Sequence, residues 1–168
     1  MEIHSAWGTF EWLLTDGFPL GHRSGVVCNS DGHKGRSRAS YPGAGWFGAV
    51  GGLTCFLMPD LSRNSLVECI NTRHHYATTG GPSGRMRLEV SMSFDEPATQ
   101  YLDDPLLAKN CTTKPCFQAM MGDIVLLPEG AAYLKISVDA AAPVRSLSLI
   151  HISEPTRQEA ISYAVFCL

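Results

Sequence analysis

The sequence lacks most of the features that would settle its class at a glance. No apolar run approaches the ~18 residues that a membrane helix needs, so no helical membrane span is expected. Charge is sparse and nearly balanced: 17% of the 168 residues are charged, 13 basic against 16 acidic, for a net charge of −3. The basic residues gather only at Lys34, Arg36 and Arg38. That group is too small to make the continuous positive face that nucleic acid requires, so a nucleic-acid partner is not expected. There is no Cys-x-x-Cys pair, and the six cysteines are scattered along the chain, which excludes a zinc ribbon and a dense disulfide scaffold. The first residues show no basic stretch followed by an apolar one, so no secretory signal is read and the cytoplasm is the default compartment.

What the chain does have is 45% hydrophobic residues, enough to bury a core and too many for a disordered chain. Residues 1 to about 80 alternate short apolar runs with helical patterns, the grammar of an α/β fold. Glu2-Ile3-His4-Ser5 reads as the tail of a strand, and Thr9 as the cap of a helix carrying Phe10, Leu13 and Leu14, ended by Gly17 and Pro19. The apolar runs 25–30 and 52–58 read as buried strands of the kind that fill parallel sheets. A long glycine-rich loop joins them, and loops of that length often carry function. Ser62 is placed to cap a helix reaching about Arg73, with Leu61 and Leu66 as a hydrophobic staple and Leu66, Val67 and Ile70 facing inward.

The pattern changes after residue 84. From Arg85 to Phe94 polar and apolar residues alternate strictly, the mark of a half-buried strand. Segments 124–127 and 132–138 predict two more strands, joined through Pro128-Glu129-Gly130. The expected architecture is therefore α/β over 1–82, followed by an antiparallel β region over 83–146. Residues 147–157 resemble the translation of a transposon-based sequencing-library adapter, and 161–168 resemble its flow-cell end, with a three-codon index between them. On that reading 147–168 is a non-native tail and the β region lacks its last strands.

Asp31-Gly32-His33 follows directly on the run Val26-Val27-Cys28. Ligands collect at the carboxyl ends of strands in parallel α/β folds, and a carboxylate and an imidazole two residues apart offer oxygen and nitrogen donors to a divalent ion. An Asp capping a turn beside a solvated His is the plainer reading of those two residues alone. The neighbours in sequence add to it. Residues 26–36, then Ala39-Ser40-Tyr41-Pro42-Gly43-Ala44, Gly51-Gly52-Leu53-Thr54-Cys55 and Arg73 to Gly80, occur in the order found in a branch of the PHP (polymerase and histidinol phosphatase) superfamily, which this chain resembles. Segments 2–5 and 8–12 join the likeness, and 85–146 follows it more loosely.

The resemblance implies the late strands of a distorted βα barrel that binds divalent metal ions, of the Mn, Zn or Fe type, and hydrolyses a small phosphorylated substrate. Its last metal motif falls on Asp31 and His33, with Glu2 and His4 lining the site and Lys34 and Arg36 placed to meet substrate phosphate. The superfamily's first motif, His-x-His, has no counterpart in this sequence, so the chain by itself is expected to be catalytically inert and weak in metal binding. A non-catalytic module, in which the Asp31 loop only recognises an anion or other ligand, is the alternative from another class. His74 and His75 are sequence neighbours whose side chains should point apart, which favours structural roles, and Cys111 and Cys116 read as plain thiols.

Overall fold

The chain begins with a hairpin whose second strand, not a helix, takes up Thr9. In a computed structural model, which describes residues 1–5, 8–31, 52–78, 86–144 and 163–165, β1 (Glu2–Ser5) pairs antiparallel with β2 (Gly8–Thr9). The helix expected after Thr9 starts later, as α1 (Trp12–Gly17), with Glu11 at its N-cap and no side-chain cap. Gly17 and Pro19 hold it to six residues, and Leu14 is its buried side chain. The chain then returns through β3 (Val27–Cys28), which pairs parallel with β1.

The expected α/β part is sparser in helix than its pattern suggests, and the protein is mostly β. The run 52–58 forms β4 (Leu53–Phe56), but its partner is the antiparallel β5 (His75–Thr78), and β4 is half-buried along its length. A short apolar run shows that a strand is covered, not which way its partner runs. Among the described residues the strands form no closed barrel. No helix among them is long and apolar enough to cross a membrane.

Between β4 and β5 lies α2 (Arg63–Thr72). Its start follows the sequence: the Ser62 hydroxyl accepts the Ser65 N–H at 3.2 Å, Ser65 Oγ donates to Asp60 at 2.8 Å, and hydrogen bonding from Ser62 and then Ser65 holds the Asp60 carboxyl below its ordinary range. Its inward face does not. Leu61 is 96% exposed, so no staple forms, and Val67 and Ile70 are exposed while Ser65 and Cys69 are buried. The helix ends on Arg73 in the left-handed region, with the His74 N–H returning to the Cys69 carbonyl at 3.0 Å.

The second part is an antiparallel sheet built on one long strand, β6 (Met86–Tyr101). Its first half pairs with β9 (Ala132–Ala140), from Met86↔Ala140 to Phe94↔Ala132. Its second half pairs with β8 (Ile124–Leu126), and β7 (Thr113–Met120) runs along the opposite edge. The register with β7 shifts between Ser93 and Ala98, where Pro97 has no N–H to give to a ladder. The short β10 (Tyr163–Val165) pairs with β8 from inside the segment that resembles adapter.

Each half of β6 carries its own core. Leu88 and Val90 pack with Tyr76 and Met121, supported by Cys55, Leu57, Leu134, Ile136 and Val138. Phe94 and Ala98 pack with Ala119 and Val125. Because Tyr76 of β5 belongs to the first of these cores, segments 1–82 and 83–146 share buried surface across the boundary drawn from sequence.

Candidate functional site

The parallel pairing of β1 with β3 gives one edge of the fold its chemistry. The partners are Glu2↔Val27 and His4↔Cys28, and the Asn29 N–H donates to the His4 carbonyl at 3.1 Å. Both carboxyl ends therefore open on the same side, the position where α/β sheets gather ligands. The end of β3 is fixed from the other side by the approach to β4. The Gly52 N–H donates to the Asn29 carbonyl at 3.1 Å, and Thr54 Oγ1 both accepts the Cys28 N–H at 3.1 Å and donates to the Cys28 carbonyl at 2.9 Å. Position 52 has to be glycine, since a Cβ there would lie 2.4 Å from that of Cys28.

His4 and Asp31 lie towards this edge, while Glu2 opens β1 at its amino end, opposite Val27. Asp31 stands three residues past Cys28, which keeps its Cα within about 11 Å of that of Cys28. It is exposed and has φ 47°, a left-handed turn that Asp tolerates better than most residues. Glu2 is exposed. His33, Lys34 and Arg36 lie outside the described residues. Among the described residues no three His, Cys, Asp or Glu side chains come together closely enough to hold a metal ion.

His4 is the most constrained member of the edge. Its Nδ1 lies 2.8 Å from Thr9 Oγ1, its cross-strand partner in the hairpin. Its Nε2 is buried and has no hydrogen-bond partner among the described residues. Sequence reasoning gave Thr9 the task of capping a helix and so missed this contact. The signal was the five-residue separation of His4 and Thr9, which suits a hairpin pair and competes with the helix-start pattern of Thr9-Phe10-Glu11.

Cys28, beside His4, is 2% exposed, and its thiol is pushed up to about 11, first by burial and then by the Glu2 carboxylate. Protonated and nearly inaccessible, it is a poor nucleophile at neutral pH. Burial also raises the Cys69 and Cys116 thiols. All five described cysteines are free.

The adjacent histidines go to different partners. His75 is buried, and its Nδ1 must carry the proton it gives to the Val26 carbonyl at 2.8 Å. His74 Nε2 lies 2.9 Å from Asp123 Oδ1, while Asp123 Oδ2 accepts the Met120 N–H at 2.9 Å. One ties β5 to β3 and the other ties the end of α2 to the β7–β8 turn. A separate open cleft of about 450 Å³ is lined by Cys55, Phe56, Leu57, Tyr76, Arg87 and Glu89 among others, and it includes none of the edge residues.

Compared with known proteins, the chain matches no family model, no curated protein and no solved structure.

Proposed function

We propose that this chain is part of a divalent-metal-dependent phosphoesterase of the PHP kind, comprising late strands of a distorted βα barrel and the β region that follows. Asp31 and His33 are its metal ligands, Glu2 and His4 line the site, and Lys34 and Arg36 meet the phosphate of a small substrate. The observation that supports this most is the shared carboxyl edge of β1 and β3. It carries a histidine with a buried, unmatched nitrogen and, just beyond β3, an aspartate in a left-handed turn. A bound Mn, Zn or Fe ion would lower the pKa of a water and offset charge developing on phosphoryl oxygens. The sequence holds no His-x-His, so the chain alone binds metal weakly and turns nothing over.

Equilibrium dialysis of the chain against Mn²⁺ and Zn²⁺, with Asp31→Asn and His33→Asn alongside, tests the reading. Weak binding that both substitutions reduce, with no hydrolysis of p-nitrophenyl phosphate, is the expected result. Binding indifferent to both substitutions would remove the metal assignment. Stoichiometric binding with turnover by this chain would remove its inertness.

A further inference from the structure

We infer that His4 is itself a metal ligand through Nε2, with Thr9 as the residue that positions it; this rests on the metal-site reading above. The backbone of His4 is fixed on both sides, by the ladder to β2 and by the bond from Asn29. Its ring is then fixed by the 2.8 Å contact to Thr9. What remains is Nε2, buried and unmatched among the described residues, an arrangement that costs free energy unless a partner arrives.

The chemistry around the ring selects the partner. Glu2 stands two residues before His4, across a register shift in the ladder, and Asp31 follows three residues past Cys28, the pairing partner of His4. Acidic surroundings disfavour an anion and favour a cation. With Nδ1–H donating to the Thr9 hydroxyl, Nε2 presents a bare lone pair. This is the tautomer that metal-bound histidines adopt when their other nitrogen is held by the protein. Imidazole suits Zn and neighbouring divalent ions. The other buried histidine contacts are already committed, His75 to Val26 and His74 to Asp123.

The test uses the full chain with ¹⁵N-labelled histidine, titrated with zinc chloride and followed through the ring nitrogens. Before zinc, His4 should show the Nδ1-protonated tautomer. Zinc should shift His4 Nε2, and His4→Asn should weaken binding at least tenfold. Thr9→Val should weaken it roughly ten- to a hundredfold and redistribute the His4 tautomers, while Thr9→Ser restores both. An unchanged amide spectrum for β6 to β9 certifies that each variant folds. If zinc binding depends on Asp31 and His4 Nε2 does not move, the His4 assignment falls and the site reading survives. If His4 Nε2 moves but Asp31→Asn changes nothing, the reverse holds. Absence of zinc binding at millimolar concentration overturns both.

Discussion

Arg73 Nε donates to the Gly122 carbonyl at 2.9 Å, and a Cβ on Gly122 would lie 2.4 Å from the Arg73 carbonyl oxygen. The end of α2 and the β7–β8 turn are therefore seated against each other backbone to backbone, with His74 and Asp123 pairing alongside. Arg73 holds a left-handed conformation, φ 62°, that a non-glycine residue adopts at a cost, and its side chain's bond across the contact offsets that cost. This seam joins the first part of the chain to the β sheet.

Gly122→Ala should break the seam. Gly122 has φ 95°, so alanine meets both an unfavourable backbone and the Arg73 carbonyl. We expect a loss of about 2 kcal/mol or more, read as a lower urea midpoint. Arg73→Ala leaves the backbone contact in place and should cost less. Equal losses for the two would show that the close approach is not what holds the parts together.

His75 gives the fold a pH dependence of known sign. Burial lowers its pKa in the folded protein, so the unfolded chain binds a proton more readily. Stability is then full above the ordinary histidine value of about 6.5 and falls as pH drops towards the folded value. Urea midpoints measured downwards from neutral pH should decline across that window. His75→Asn, whose amide can still donate to Val26, should flatten the decline at some cost at neutral pH. An unchanged slope in that variant would assign the effect to another group.

The Cys28 thiol, raised to about 11 and nearly inaccessible, should resist alkylation. Iodoacetamide at mildly alkaline pH should leave Cys28 unmodified in the folded chain, as read by mass spectrometry of its peptide, and modify it in denaturant. Modification in the folded state at the rate of the denatured chain would mean that the β1–β3 edge opens.

How much of this was legible in the sequence depends on whether the deciding forces are local. The alternation of Met86, Leu88, Val90, Met92 and Phe94 announces half of β6, because a side-chain period of two is a property of the strand itself. The Ser62 cap is legible for the same reason. β7 was not read: Pro115 interrupts it, Phe117 points to solvent, and as an edge strand it buries mainly Ala119. The direction of β4 and the bare face of α2 depend on partners distant in sequence. Asp31 stood out because it follows a buried strand. The unmatched nitrogen of His4 depends on Thr9 across a hairpin, and no periodicity encodes it.

The pairing of β10 with β8 sets a last expectation. Ile124 and Val125 are fully buried, and β8 bonds to β6 on one side and to β10 on the other, through Tyr163↔Leu126, Ala164↔Val125 and Val165↔Ile124. This strand, from the segment that resembles adapter, covers the edge of β8 that β6 leaves open. Deleting 147–168 should then expose that edge. Amide exchange should quicken at Ile124–Leu126, while protection persists where β6 and β9 pair from Met86 to Phe94. An unpaired edge also invites other chains, so the shortened protein should self-associate more readily as its concentration rises. Unchanged exchange at β8 would show that the tail contributes nothing to the sheet in solution, and loss of protection throughout β6 and β9 would show that it is integral to the fold.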